Sequence, residues 1–563
     1  MKLCSLLSLM LLLLQTAPAQ KSFTRADTLR GLLTPLRTCY DVRFYDLSVR
    51  IDPATKSLRG SNTIRFTTTE DFNRMQIDLF ANMSVDSILA EDGSHLSTER
   101  EFNAVFVSFP QRLKKGTTGS IVVHYSGMPQ EANRPPWEGG FTWTNDSTGK
   151  PWIAVTCQGT GASLWWPNKD HQSDEPDSMM LRVTIPPGLS DVSNGRLRSV
   201  KRFPDGWSEY DWFIASPINN YDVTVNIGNY SHFGDLYLRH GDTLTLDYYV
   251  MPYNLKRAHE QFTQVRAMLA CFEKYFGPYP FPADGYKLIE CPHLGMEHQS
   301  AIAYGNHFLN GYRGQAMSAV GPSSETGLKF DFIIVHESAH EWWGNSITAS
   351  DIADMWIHES FGAYAEALFV ECRWGHDEAL AYINAKKSSI LNDRPMIGPY
   401  GVNQPGSKDM YNKGQVVLNT LRSVINDDPL WFSIIHDMAT TFRHSIVTAD
   451  SIFNFINRRT GTDYGYFFDQ YFRHTGVPQL EAFVTKKAHR ITLKYKWNAD
   501  VADFRMPVRA TTAPDTFTVI HPTTSWQTME LNSVDPMKFR VADDLYFVTL
   551  KLGWAYVDPR KVE

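Results

Sequence analysis

Cysteine is scarce: the 563 residues hold six, and no C-x-x-C pair occurs. That excludes a fold held together by a cysteine framework. With Cys4 set aside, Cys39, Cys157, Cys271, Cys291 and Cys372 make an odd number, so at least one is free or paired elsewhere. A basic patch is also missing. The formal net charge is -7 with acids and bases interspersed, which excludes the electrostatic footprint of a nucleic-acid-binding protein. Internal repeats and low-complexity tracts are absent. Beyond the N-terminus no hydrophobic run reaches spanning length, so no stable membrane span is expected. The one apolar run, Leu3 to Leu14, is short. It follows Lys2 and precedes Ala17-Pro18-Ala19, the pattern of a cleaved secretory signal over residues 1–19. The expectation is an exported protein, periplasmic or secreted. Cys4 precedes the apolar run, which argues against a bacterial lipid anchor. Asn82, Asn145 and Asn229 open glycosylation sequons that matter only in a source that uses them.

What is present is an ordinary globular mix, 43% hydrophobic and 20% charged, at a length that accommodates three or four domains. From about 40 to 233 the pattern is β. Tyr45, Leu47, Val49 and Ile51 alternate with polar residues, as do Val105, Val107 and Phe109. Near 250 the period changes: Leu255, Phe262, Val265, Leu269 and Phe272 fall at the spacing of one helix face, until Gly277-Pro278 ends it. Helical patterns dominate from about 328 to 475. After Pro478 alternation returns in Ile491, Leu493, Tyr495 and Trp497, with a second strand-rich run over Leu545 to Leu552. The expected architecture is multidomain α+β. An N-terminal antiparallel β domain spans 20–233, a mainly helical domain 234–478, and a small C-terminal β-sandwich 479–563. Nothing in the sequence defines an oligomeric state.

The chemistry concentrates at His336-Glu337-Ser338-Ala339-His340, an H-E-x-x-H. Four residues of helix turn through about 400°, so both imidazoles point the same way and can hold one ion. Phe330 to Val335, apolar apart from Asp331, suits a buried helix, which Gly344-Asn345 is expected to end. A catalytic zinc usually takes a third protein ligand and keeps one position for water. Glu359 lies nineteen residues after His340 in a segment whose Phe361, Ala365 and Leu368 form a helical apolar face. A returning helix would bring Glu359 beside the histidine pair. His358, Glu341 and Glu371 are read as structural or exposed rather than as ligands.

From these residues the chain resembles the gluzincin metallo-aminopeptidases related to aminopeptidase N and leukotriene epoxide hydrolase, over about Tyr45 to Leu480. The resemblance implies a saddle-like N-terminal β domain, a thermolysin-like catalytic domain and one Zn2+ per chain held by His336, His340 and Glu359. The family's exopeptidase mark, G-x-M-E-N, corresponds here to Leu294-Gly295-Met296-Glu297-His298, with leucine for the first glycine and histidine for the asparagine. It implies that Glu297 anchors the α-amino group of a substrate whose backbone pairs along Gly295 and Met296. Thr156-Cys157-Gln158-Gly159 resembles the first-domain segment that shares this task, which assigns Gln158 to the amino group. Met410-Tyr411-Asn412-Lys413-Gly414 resembles the family's Tyr-x-Lys-Gly, whose tyrosine donates to the oxyanion. Glu366, seven residues after Glu359, resembles an acid that orients a ligand histidine.

The implied reaction removes one residue from the free N-terminus of a peptide. Zinc activates the water, Glu337 acts as general base, and Tyr411 stabilises the oxyanion. Three alternatives stand beside it: a lipid epoxide hydrolase, a zinc endopeptidase and a catalytically dead binding module. Met296-Glu297 argues against the second. Intact Glu337 and ligands argue against the third, which the Leu294 and His298 departures keep open.

Overall fold

A computed structural model describes residues 22–239, 241–316, 325–514 and 516–557. The expected signal peptide, residues 1–19, lies outside the described residues. Among those described, no helix is long and apolar enough to cross a membrane.

Alternation builds the N-terminal sheets. Tyr45, Leu47, Val49 and Ile51 all point inward from the strand Tyr40–Asp52. Full burial of each of the three aliphatic ones, Leu47, Val49 and Ile51, is worth about 1.5–3 kcal/mol. This strand sits inside a seven-stranded sheet between Ser57–Thr68 and Ser178–Ile185. The sheet is antiparallel except where Tyr40–Asp52 runs parallel to Ser178–Ile185, placing Leu47 opposite Leu181. A three-stranded sheet carries Phe72–Asp78, Ala104–Leu113 and Ser97–Glu101. A four-stranded sheet carries the strand Pro151–Thr156. Gln158 follows two residues after that strand ends, so the sheet delivers it to the cleft.

A five-stranded sheet opens the next region with the hairpin Ser231–Arg239 and Asp242–Val250, and continues through Tyr286–Glu290 and Ile302–Tyr304 to Gly295–Met296 at its edge. The two-residue strand pairs on one side only, antiparallel to Ile302–Tyr304. The helix Gln264–Phe276 buries Val265, Leu269 and Phe272 and stops at Gly277, whose φ of +82° favours glycine. A disulfide joins its Cys271 to Cys372 of the helix Trp356–Trp374, leaving Cys39, Cys157 and Cys291 as buried thiols.

Two helices differ from expectation. The motif helix Phe332–Ala339 ends before Gly344, with His340 as its C-cap. The His340 ring explains the early stop: its Nδ1 donates to the Trp343 carbonyl at 2.9 Å. A continued helix would turn that carbonyl away along the axis. The helix Trp356–Trp374 is buried on every face from Trp356 to Val370, not along one stripe, because other helices and loops enclose it.

The C-terminal region is β, with a four-stranded sheet of Gln527–Leu531, Arg490–Asn498, Gln479–Lys487 and Thr549–Val557, and a hairpin of Val508–Ala513 and Thr516–Ile520. The last strand begins at Thr549 rather than 545, where its amide first reaches the Pro478 carbonyl at 2.9 Å and parallel pairing sets in.

Candidate metal centre and active site

Asp331 starts the motif helix by accepting from the amides of Ile333 and Ile334. Its two imidazoles have fixed tautomers. Nδ1 of His336 donates to Glu366 Oε1 at 2.8 Å, and Nδ1 of His340 donates to the Trp343 carbonyl at 2.9 Å. Both Nε2 atoms are thereby left to face each other at 3.4 Å. Glu359 Oε2 completes the triangle, 3.9 Å from Nε2 of His336 and 3.6 Å from Nε2 of His340. All three residues are buried, and among the described residues they are the one group placed to share an ion. Two imidazole nitrogens and a carboxylate oxygen that converge on one point are a donor set that can share a cation. Two imidazoles and a carboxylate with an open fourth side fit zinc.

Packing holds these three residues where they are. A Cβ added at Gly362 would lie 2.9 Å from Cε1 of His340, so glycine lets the second helix approach the first. The Ser360 hydroxyl donates to the Met410 carbonyl at 2.7 Å, which seats Tyr411 beside Glu359. Glu366 is held from behind by the Tyr382 hydroxyl and by Lys386 Nζ at 3.8 Å. Burial alone would raise the Glu366 pKa; the charges of Lys386 and His336, with the hydrogen bonds from His336 and Tyr382, bring it below the ordinary carboxylate value. Burial opposes a charged His336, yet Glu366, Glu337 and Glu359 push its pKa up to about 9 in the metal-free centre.

The centre opens into a cleft of about 300 Å³ bounded by the motif helix, the Leu294–Glu297 segment and Tyr411. Glu337 lies on this open side. Burial, reinforced by Glu359 and Glu366, pushes its pKa up to about 7. Gly295 makes room for it: a Cβ there would fall 2.7 Å from Glu337 Oε1. Met296 is buried in the same edge strand. Glu297 is buried at the end of the cleft. Gln158 Nε2 bridges it to the centre, 2.5 Å from Glu297 Oε1 and 2.9 Å from Glu359 Oε1. The Tyr221 hydroxyl donates to the same Glu297 oxygen at 3.2 Å, and Asn345 holds the Glu297 carbonyl at 2.8 Å. Burial first, then the charges of Glu359 and Glu337, raises the Glu297 pKa well above the ordinary carboxylate value. Tyr411 faces Glu359, and burial with that charge keeps its phenol protonated.

All ten site residues read from the sequence therefore converge on one cleft: Gln158, Gly295, Met296, Glu297, His336, Glu337, His340, Glu359, Glu366 and Tyr411. His358 and Glu341 are buried and structural. His358 Nε2 accepts from the Ala349 amide, and Glu341 accepts from the Ser300 amide and the Tyr279 hydroxyl. Glu371 pairs with Arg422. Sequence reasoning missed Tyr221, Tyr382 and Lys386. None lies in a recognisable motif, and a lone tyrosine or lysine carries no signal of its own.

Residues 260–471 match the peptidase family M1 domain. The chain is 21% identical over 517 residues to endoplasmic reticulum aminopeptidase 1 of Rattus norvegicus, covering 88% of this chain and 53% of that protein. It is 23% identical over 476 residues to aminopeptidase N of Lactobacillus helveticus, covering 79% and 52%. The chain thus spans about half the length of these curated relatives. An M1 zinc metallopeptidase from Deinococcus radiodurans superposes with a TM-score of 0.64 at 21% identity, over 78% of this chain and 94% of that one. At that identity the likeness shows a shared fold. The two-histidine, one-glutamate centre lies inside the stretch that matches the M1 domain, residues 260–471.

Proposed function

We propose that the protein is a zinc-dependent aminopeptidase that hydrolyses the first peptide bond of peptides with a free N-terminus. The observation that carries this reading is the Gln158 bridge. It holds the buried Glu297 carboxylate one side chain away from the ligand Glu359. A carboxylate there rewards an ammonium and leaves no path for a chain extending further in that direction.

Zinc, when bound by His336, His340 and Glu359, supplies a Lewis acid that acidifies water and polarises the scissile carbonyl. The remaining steps belong to the protein. Glu297 and Gln158 fix the α-amino group, whose positive charge relieves the crowding of carboxylates that raises the Glu297 pKa. The substrate backbone adds along the free edge of Gly295–Met296. Glu337 is too far round the helix to be a ligand and faces the cleft; it accepts the proton of the attacking water and passes it to the leaving amine. The Tyr411 phenol donates to the developing oxyanion, a contribution that typically amounts to about 100- to 1000-fold in rate.

The fold likeness accords with this reading: one structure of the Deinococcus radiodurans enzyme, in a mutant form, is bound to a Tyr-Ser-Ala substrate. The test is Glu337→Gln, which should keep one zinc per chain by metal analysis and lose turnover of a free-amine peptide. Full turnover in that variant would remove Glu337 from the mechanism.

A further inference from the structure

Lys386 closes the helix His376–Lys386. It is 4% exposed, yet it lines the cleft. Its nearest carboxylate oxygen, Glu366 Oε2, is 3.8 Å away, too far for a hydrogen bond. The rings of Tyr382 and Phe332 lie 4.7 Å and 5.9 Å from its Nζ. Glu366 already accepts from His336 Nδ1 and the Tyr382 hydroxyl. Among the described residues Lys386 Nζ donates no hydrogen bond, and the ion pair with Glu366 is its polar contact. An ammonium has three donors, and leaving them unused in a buried wall is unfavourable until an acceptor arrives.

The His336 ring separates the two ends of the cleft. Its Nε2 side faces Glu359, and through Gln158 the amine anchor Glu297. Its Nδ1 side faces Glu366, with Lys386 beyond. Glu297 and Lys386 both line the cleft, on opposite sides of the His336 ring, so a peptide held by its amine on Glu297 has Lys386 in the same cleft wall beyond the centre. Exposed Lys408 adds a second positive charge to the cleft wall. The amine end of the cleft is thus acidic, and the leaving-group end carries cations.

We propose that Lys386 is a substrate-binding residue whose ammonium receives a carboxylate on the residue that follows the scissile bond. The inference rests on the aminopeptidase reading for the direction of the chain. It makes very short peptides, or peptides with an acidic second residue, the favoured substrate class. The carboxylate has two sources, the C-terminus of a dipeptide or an acidic side chain, and the experiment separates them.

The experiment is calorimetric binding to the zinc-loaded Glu337→Gln protein. The probes are leucyl-leucine, leucyl-leucine amide and leucyl-glutamate amide. A charged acceptor should tighten binding about tenfold over the uncharged amide. Preference for leucyl-leucine assigns the C-terminal carboxylate; preference for leucyl-glutamate amide assigns the side chain. Adding Lys386→Met should shrink either preference to within about twofold, and Lys386→Arg, which keeps the charge, should retain it. Equal binding of all three probes, no binding of any, or a preference that survives Lys386→Met overturns the assignment. Turnover of the same probes by the unsubstituted protein separates the two claims. A Lys386-dependent preference without hydrolysis sinks the peptidase reading alone. Hydrolysis without that preference sinks the Lys386 assignment alone.

Discussion

Gln158 and Glu297, 139 residues apart in the chain, meet in a 2.5 Å hydrogen bond beside the metal centre. Gln158 comes from the N-terminal β region and Glu297 from the edge of the central sheet, so the proposed amine anchor exists only when the two regions pack together. Glu297→Gln keeps the shape but removes the charge. It should lower kcat/KM for free-amine peptides by roughly 10- to 100-fold, the range for a hydrogen bond to a charged group. Gln158→Ala should cause a smaller loss, chiefly in KM. Steady-state kinetics on one tripeptide checks both; unchanged constants in Glu297→Gln would remove the anchor from the account.

Glu366 fixes the His336 ring from behind, through the Nδ1 contact at 2.8 Å. Glu366→Ala should weaken zinc binding by about 10- to 100-fold, the usual consequence of removing a carboxylate that orients a ligand histidine. Competition with a chelator of known affinity measures it. Wild-type zinc affinity in Glu366→Ala would show that the ring needs no such support.

Zinc uptake should release protons near neutral pH. The surrounding carboxylates push His336 up to about 9 in the metal-free centre, so at pH 7 its ring holds a proton that the metal must displace. The sign follows: below about pH 9, zinc affinity should rise by about tenfold per pH unit from this group alone, and flatten above it. Calorimetry in buffers of different ionisation enthalpy counts the protons. A pH-independent affinity between 6 and 8, with no proton release, would contradict the arrangement of charges around His336.

Gly295 gives Glu337, the proposed general base, its room by having no side chain. An added Cβ would lie 2.7 Å from Glu337 Oε1 and 2.9 Å from Ile333 Cγ2. Gly295→Ala should displace Glu337 and lower kcat on the order of 100-fold, the scale for a misplaced reacting group, while zinc content stays normal. Unchanged kcat in a folded, zinc-loaded Gly295→Ala protein would mean that Glu337 has more room than this geometry allows.

The candidate ligands were legible because their spacing is a property of one helix and its return. His336 and His340 are four residues apart, and Glu359 and Glu366 are two turns apart on the second helix. Strand alternation marked the β regions equally well, since burial follows local period. Other features depend on contacts between distant segments. The motif helix stops early because His340 needs the Trp343 carbonyl, which its sequence pattern does not show. The second helix is buried all round because its neighbours enclose it, so its apolar stripe was only part of the story. Tyr221, Tyr382 and Lys386 reach the site from segments with no motif, and only tertiary packing reveals them. The parallel pairing of Tyr40–Asp52 with Ser178–Ile185 is hidden for the same reason: more than a hundred residues separate the two strands.

The most direct measurement is cleavage of a matched pair of peptides, one with a free α-amino group and one N-acetylated, with and without a chelator. The account predicts release of the first residue only, from the free peptide only, lost with the chelator and restored by zinc. Internal cleavage of both peptides would contradict the role given to Glu297, and chelator-resistant cleavage would contradict the metal centre itself.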